Sequence, residues 1–152
     1  MHSTVSLIAR LEADYPHLTF VKGGDFHWSY DEQTVTYTLA GSTAELLHEV
    51  AHAVLGHARY QRDIELLGLE RDAWTQAQTV LGPRYDITVS DNDIQDALDT
   101  YRDWLHARST CPECRATGLE TAKHRYQCPA CRTQWHVNEA RVCELRRHTI
   151  QK

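Results

Sequence analysis

The segment His48-Glu-Val-Ala-His52 is the part of this chain whose residue types and spacing are best suited to chemistry. Residues four apart lie on one face of a helix, so the two imidazoles can approach a single zinc ion. Zinc lowers the pKa of a bound water toward neutrality, and Glu49 lies close enough to accept a proton from that water. Glu49 is too poorly placed to be a ligand itself. The motif therefore predicts hydrolysis of a peptide bond, with Glu49 as the general base.

A third zinc ligand has to come from outside the motif, because a catalytic zinc usually has three protein ligands and one open position. His57 lies about 180° round the helix from His48, so it cannot reach the same ion while the helix continues. A carboxylate on the next helix is the better donor. The candidates are Glu65, Glu70 and Asp72, and we choose Glu70.

Two other parts of such a site stay open at the level of sequence. The residue that polarises the substrate carbonyl is Tyr60, His57 or Tyr85, and nothing in the sequence separates them. The segment Thr34 to Leu39 is a candidate for binding substrate as an added strand if it lies at a sheet edge. A plain edge strand accounts for that segment equally well.

Four cysteines form a second group with metal-binding spacing. Two Cys-x-x-Cys pairs are separated by 13 residues, namely Cys111, Cys114 and Cys128, Cys131. Each pair can form a turn that presents two thiolates to one tetrahedral ion, and two such turns favour a zinc ribbon over a redox motif. Four thiolates leave no position for water, so this second zinc is expected to be structural. Cys143 is left over as a reduced thiol.

The C-terminal part of the chain differs in charge from the rest. Residues 108–152 hold 9 Lys or Arg against 4 Asp or Glu, a net charge of +5, whereas residues 1–107 carry -10. A basic ribbon is suited to nucleic acid, and Tyr126 and Trp135 could stack on bases. The same two aromatic residues could equally pack the ribbon's own core. The alternatives are therefore contact with nucleic acid, or recognition of a protein, including docking onto the acidic part of this chain.

The elements that must position these residues can be read from hydrophobic spacing. Val5, Leu7, Ile8 and Leu11 predict a first helix of about three turns. Three segments rich in aromatic and β-branched residues then predict a three-stranded antiparallel meander. These segments are 18–21, 25–30 and 34–39.

Helices are predicted for most of the remaining chain. Ser42-Thr-Ala-Glu45 is a capping box that opens the motif helix, whose apolar residues cover most of its circumference and indicate a largely buried helix ending near 57–60. A second helix runs from about Asp63 to Leu81, where Gly82-Pro83 provides the stop. Another helix starts at Ser90 or Asp91, and Asn138 to Arg147 also has a helical pattern.

Together these elements predict an α+β protein with two domains. Residues 1–107 form a zincin-like metallopeptidase domain, in which a small antiparallel sheet packs on an active-site helix bundle. Residues 108–152 form a small four-cysteine zinc ribbon with a C-terminal helix. No apolar run reaches 18 residues, and the N-terminus lacks the features of a secretory signal. We therefore expect a cytoplasmic protein that does not contact membranes.

The motif helix resembles that of a known protease family. His48 to His57 reads HEVAHAVLGH, follows a predicted sheet and precedes Glu70-Arg-Asp-Ala73. This pattern resembles the ImmA/IrrE family of bacterial and phage metallopeptidases over roughly residues 18–82. The resemblance implies a cytoplasmic zinc protease that cleaves a helix-turn-helix repressor, with Glu70, the first residue of an ExxA segment, as third ligand. Trp74 stands where that family usually has a small polar residue, and the gap between the two helices is shorter.

Two other interpretations compete with this one. SprT-like proteases also place an HExxH helix before a C-terminal zinc ribbon and act on proteins bound to DNA. Their third ligand is a downstream histidine, and no histidine occurs here between His57 and His106. In the third interpretation, the protein is a zinc-stabilised regulator that binds a repressor or DNA without cutting it. The first interpretation predicts two Zn(II) per chain, one catalytic and one structural.

Overall fold

The computed structural model describes residues 3–139 and 145–150, which form a mixed α+β protein with two small sheets. It divides into two compact units. The N-terminal unit contains the chain up to Arg59 together with Leu69–Ile94, and the C-terminal unit contains Tyr60–Gly68 together with the chain from Gln95 onward. The sequence places one boundary after Ala107, whereas the observed divisions fall earlier and bring residues 60–68 into the C-terminal unit. Within the described residues, no helix is long and apolar enough to span a membrane.

The first helix, α1, spans Thr4–Asp14 and confirms the prediction of about three turns. Ser3 is its N-cap, and the Ser3 side chain accepts a hydrogen bond from the backbone N–H of Ser6. Leu7, Ile8 and Leu11 are buried, but Val5 is 67% exposed. The buried face of α1 is therefore one residue narrower than the sequence predicts.

The sheet of the N-terminal unit is mixed, so the predicted antiparallel meander is wrong. Its strands are β1 (Thr19–Lys22), β2 (His27–Ser29) and β3 (Thr34–Tyr37), in the order β1-β3-β2. β1 runs parallel to β3, and β2 runs antiparallel to it. Val35 of β3 is fully buried, and no other residue of these three strands is. Burial of Val35 favours the central position for β3 and leaves β1 and β2 at the edges.

Helix α2, Thr43–Leu55, follows this sheet and carries the HEVAH motif. One half of the predicted capping box is observed, since the Ser42 hydroxyl oxygen accepts from the Glu45 backbone N–H at 3.1 Å. The Glu45 carboxylate accepts from the Ser42 hydroxyl, also at 3.1 Å. The middle of the helix is buried, but Val54 and Leu55 are each 41% exposed. Gly56, with a φ of 68°, ends the helix in the left-handed conformation.

The next helix continues further than the sequence predicts. Helix α3, Asp63–Gln76, passes into a π-helical turn, Ala77–Leu81, and then into a short helix, α4, Gly82–Arg84. Gly82-Pro83 therefore does not stop the helix. Pro83 lies in the first turn of α4, a position at which proline is tolerated. Helix α5, Asp91–Ser109, begins after Ser90, whose hydroxyl accepts from the Asp93 N–H at 3.1 Å.

The sheet of the C-terminal unit has four antiparallel strands in chain order. They are β4 (Leu119–Ala122), β5 (Arg125–Gln127), β6 (Gln134–Val137) and β7 (Arg147–Ile150). A helix is predicted over Asn138–Arg147, but the described residues at both ends of this segment are not helical. Residues 140–144 lie outside the described residues. Arg147 instead begins β7 and pairs with Val137, so pairing along β6 prevails over local helical spacing.

Aromatic and charged side chains together fill the core of the C-terminal unit. Tyr126 and Trp135 are 3% and 0% exposed, and their rings stack with centroids 5.7 Å apart. They pack the ribbon's own core and are not available for bases. Asp63, also fully buried, accepts from Tyr126 Oη at 2.6 Å and from Arg108 Nε at 3.0 Å. The buried Asp63 carboxylate is thus stabilised by a cation and a hydroxyl.

Candidate metal centres

His48, His52 and Glu70 come together at one point in the N-terminal unit. Glu70 Oε2 lies 2.8 Å from His48 Nε2 and 3.3 Å from His52 Nε2, and the two Nε2 atoms are 3.1 Å apart. All three residues are buried, with 8%, 7% and 6% exposure. The one-turn spacing on α2 aligns the imidazoles, and α3 supplies the carboxylate. These three donor atoms are close enough to hold one metal ion.

The other carboxylates considered for the third position lie elsewhere. Glu65 is exposed and accepts from the backbone N–H of Gln61 at 3.0 Å, within the C-terminal unit. Asp72 is exposed and pairs with Arg71 at 3.3 Å. Of the three candidates, only Glu70 faces the histidines. The fully buried Ala73 follows it on the same helix.

The electrostatics of Glu70 favour an ionised carboxylate. Burial alone would raise its pKa, but hydrogen bonds from His48 and His52 hold the pKa of Glu70 well below its usual range. The ionised carboxylate of Glu70 and the two imidazole nitrogens together form a suitable donor set for a cation.

Glu49 lies beside this group without joining it. Its Oε1 is 3.6 Å from His48 Nδ1, and its side chain is only 14% exposed. Burial raises the pKa of Glu49, and the charges of His48 and His52 oppose that rise. A carboxylate with a raised pKa next to a cation site is suited to accepting and returning a proton.

Each histidine ring is held by a further aromatic side chain. The Trp74 indole stacks on the His48 ring with centroids 4.1 Å apart and planes 6° from parallel. His57 Nδ1 lies 2.8 Å from His52 Nδ1. The sequence predicts neither contact. For Trp74, the one indication in the sequence is that a tryptophan stands where the ImmA/IrrE pattern usually has a small polar residue. For His57, the indication is Gly56, because a left-handed residue after a helix turns the chain back toward that helix.

The three candidates for polarising a carbonyl have different surroundings. Tyr85 is fully buried and donates to Asp14 Oδ2 at 2.6 Å, and burial raises its pKa well above the usual range. The His57 ring contacts His52 at Nδ1, and burial lowers the pKa of His57. Tyr60 belongs to the C-terminal unit. The hydroxyl of Tyr85 is thus engaged by Asp14 rather than by any of the three ligands.

The segment considered for binding substrate as an added strand is not at an edge. β3, Thr34–Tyr37, lies between β1 and β2, so both of its sides are already paired. That part of the prediction is wrong. β2, His27–Ser29, is an edge strand of the same sheet. The indole N–H of Trp28 in β2 donates to the carbonyl of His57 at 2.8 Å, which ties this edge to the end of α2.

The four ribbon cysteines form a second candidate metal centre in the C-terminal unit. Cys111 Sγ is 3.6 Å from Cys131 Sγ, and Cys114 Sγ is 3.4 Å from Cys128 Sγ. All four sulfur atoms lie close enough to hold one ion, and none of these cysteines forms a disulfide. Cys111 and Cys128 are buried, whereas Cys114 and Cys131 are exposed.

The two Cys-x-x-Cys turns have matching backbone geometry. The N–H of Arg115 donates to the carbonyl of Cys111 at 3.0 Å, and the N–H of Arg132 donates to the carbonyl of Cys128 at 2.9 Å. Arg115 and Arg132 both have positive φ, 67° and 64°. The Thr133 hydroxyl and backbone amide also lower the pKa of the Cys131 thiol to about 6. The turns present four sulfur atoms toward a common centre, which is the donor set of a tetrahedral metal site.

Comparison of the chain with protein-family models, curated proteins and solved structures finds no match.

Proposed function

We propose that this protein is a zinc-dependent endopeptidase whose catalytic zinc is held by His48, His52 and Glu70. The single observation that carries the proposal is the convergence of these three donor atoms beside Glu49. A protein substrate, in particular a helix-turn-helix repressor, is the partner implied by the likeness of the motif to ImmA/IrrE proteases. The proposed site, with its ligands on α2 and α3, is of the zincin-like kind.

The dimensions of the triad support zinc as the metal. Donors about 2.0–2.1 Å from a tetrahedral zinc lie about 3.3–3.4 Å from one another. The observed separations are 2.8, 3.1 and 3.3 Å, so small movements of the side chains would suffice. Two imidazoles and one carboxylate also match the donor set of catalytic rather than structural zinc sites, since three protein ligands leave one position open.

In the proposed hydrolysis, Glu49 and the three metal ligands have different roles. A zinc ion bound at this site would supply Lewis acidity and an acidified water. Glu49 would take the proton from the attacking water and deliver it to the leaving amine. Burial of Glu49 helps the first step, because a carboxylate with a raised pKa is a stronger base toward the attacking water. His48, His52 and Glu70 would keep their positions throughout.

The test is cleavage of a proteome-derived peptide library by the zinc-loaded protein, with new termini identified by mass spectrometry. We expect the wild type to generate products at a preferred sequence. Glu49→Gln should lose at least about a hundredfold of this activity while keeping its zinc content, since it removes only the base. Cleavage by Glu49→Gln at the wild-type rate, or failure of the wild type to bind a metal at the triad, would contradict the proposal.

The cysteine group is proposed to hold a second, structural zinc. Four thiolates at about 2.3 Å from a tetrahedral zinc are about 3.8 Å apart. The two measured sulfur separations, 3.6 and 3.4 Å, are slightly shorter. Because all four positions are filled by sulfur, this ion would stabilise the turns and take no part in catalysis.

A second candidate function, binding of single-stranded nucleic acid, is favoured by one feature of the C-terminal unit. Arg125, His136 and His148 are paired in register across β5, β6 and β7, so their side chains share one face, and all three are exposed. The His136 and His148 rings stack with centroids 5.0 Å apart. A guanidinium beside flat rings can contact phosphate and stack on bases.

This second function predicts salt-dependent binding of a fluorescein-labelled DNA oligonucleotide, measured by anisotropy. The double substitution Arg125→Ala with His136→Ala should weaken binding by about tenfold or more, because it removes a phosphate contact and a stacking ring. Arg102→Ala, an exposed arginine on α5 that pairs with Asp99, is the matched control. Absence of binding at low salt, or equal affinity of the variant and the control, would exclude this function.

A further inference from the structure

The end of helix α2 fixes His57 close to His52. Gly56 adopts a φ of 68°, which turns the chain back on the helix. The backbone N–H of His57 donates to the carbonyl of His52 at 3.0 Å, and the His57 carbonyl accepts from Trp28 Nε1 at 2.8 Å. His57 is therefore held on one side by α2 and on the other by β2.

The imidazole of His57 is aimed at the nitrogen of His52 that does not face Glu70. The two Nδ1 atoms are 2.8 Å apart, with ring planes 64° from parallel. Only one of two facing nitrogens can carry the proton of such a hydrogen bond. His52 Nε2 faces His48 and Glu70, and a nitrogen that binds a metal carries no proton. With a metal bound, His52 Nε2 no longer donates to Glu70, the proton of His52 belongs on Nδ1, and His57 Nδ1 must be the acceptor.

We propose that His57 is a positioning residue for His52: it accepts the His52 Nδ1–H, sets the tautomer that leaves Nε2 free for a metal, and fixes the ring plane. The inference rests on the proposed function, because it requires a metal at the triad. The remaining proton of His57 lies on its Nε2. Histidine ligands usually donate to a carboxylate, a carbonyl or water, so a second imidazole is an uncommon partner.

The proposal makes a prediction for zinc affinity at the triad, measured by competition with a chelator while native mass spectrometry counts the ions. His57→Phe keeps the ring volume but removes the acceptor, and we expect a loss of about 10–100-fold. His57→Asn places an amide oxygen near the position of Nδ1 and should restore most of the affinity. His17→Phe, at an exposed histidine of the same unit, is the control and should bind zinc as the wild type does.

A second readout examines the hydrogen bond itself. In the zinc-loaded wild type, nitrogen-15 NMR of the imidazoles should find the His57 proton on Nε2 and the His52 proton on Nδ1. A proton on His57 Nδ1, or wild-type zinc affinity in His57→Phe, would overturn the proposal for His57 and leave the proposed function intact. If the wild type binds zinc only at the cysteines, the proposed function itself fails.

Discussion

At the scale of single residues, the triad depends on contacts that fix ring orientation. Trp74 is 4% exposed and stacks almost parallel on His48. Its indole N–H has no hydrogen-bond partner among the described residues, so the ring contributes through stacking and packing alone. The aromatic surface, not the polar N–H, is therefore the feature of Trp74 that matters for His48.

Substitution of Trp74 separates these contributions. Trp74→Phe keeps an aromatic face against His48, and we expect little loss of zinc affinity at the triad. Trp74→Leu removes the stack and should weaken affinity by about tenfold, a typical effect for a contact one step from the ligands. Zinc competition with the two variants measures this difference. Equal losses in both, or none in Trp74→Leu, would show that the stack does not position His48.

Tyr126 offers a test of pH dependence in the C-terminal unit. Burial, with the hydrogen bond to Asp63, raises the pKa of Tyr126 well above its usual range. In the unfolded chain the pKa is about 10. A raised folded-state pKa gives a contribution that is complete below pH 10 and is lost as the pH rises further.

We therefore expect the stability advantage of the wild type over Tyr126→Phe to be constant from pH 7 to about pH 9 and to shrink above about pH 10. Below pH 9 the advantage should be about 1.5–3 kcal/mol, typical of a hydrogen bond to a charged group. Urea unfolding at several pH values measures it. A difference that stays the same up to pH 11 would mean that the folded-state pKa of Tyr126 is not raised.

The sequence predicted the residues of the candidate sites better than the contacts that surround them. His48 and His52 could be chosen because helical periodicity places them on one face, and Glu70 because its segment resembles the ExxA segment of ImmA/IrrE proteases. Trp74 and His57 could not be assigned their roles, because stacking and ring orientation depend on how α3 and the end of α2 pack. Local spacing does not determine that packing.

At the scale of elements, helices α1, α2 and α5 were predicted from apolar periodicity, but the sheet order was not. Which strand is central depends on long-range packing, and of these strand residues only Val35 of β3 is buried. Long-range pairing also decides β7. The segment that leads into β7 has helical spacing, but β7 pairs with β6. The continuation of the helix through Gly82-Pro83 likewise depends on the first-turn position of Pro83.

Two glycines test how the end of α2 is built. A Cβ added at Gly56 or at Gly68 would meet no atom of the described residues within 4 Å, but only Gly56 has a positive φ. Gly56→Ala should destabilise the protein by about 1–2 kcal/mol, because an L-residue is strained in that conformation. Gly68→Ala, inside α3, should stabilise it by about 0.5–1 kcal/mol.

Denaturant unfolding of both glycine variants gives the comparison. Opposite signs are expected, since the two sites differ in backbone conformation and not in available space. If Gly56→Ala is neutral or stabilising, the left-handed end of α2 is not required. The position of His57 beside His52 would then not depend on the left-handed conformation of Gly56.

At the scale of the whole molecule, the two units are expected to differ in their need for metal. The C-terminal unit closes its four cysteines around one point, and small ribbons of this kind depend on a metal for folding. The N-terminal unit has a core of its own, with Leu46, Leu47 and Val50 fully buried on α2. Its fold should therefore persist without metal.

Stepwise removal of zinc with a chelator tests this difference. Fluorescence of Trp135, isolated by replacing Trp28, Trp74 and Trp104 with Phe, should change when the ribbon zinc leaves, because its buried ring loses its surroundings. Hydrogen exchange of α2 in the wild type should stay slow under the same conditions. If α2 loses its protection from hydrogen exchange when the ribbon zinc is removed, the fold of the N-terminal unit depends on that metal and the prediction is contradicted.

The zinc content of the purified chain, counted by native mass spectrometry, tests the central claim most directly. We predict two zinc ions in the wild type and one in the double variant His48→Ala with His52→Ala. The remaining ion should disappear when Cys111 and Cys128 are replaced by serine. One ion in the wild type, or two in the double histidine variant, would contradict a metal centre at His48, His52 and Glu70.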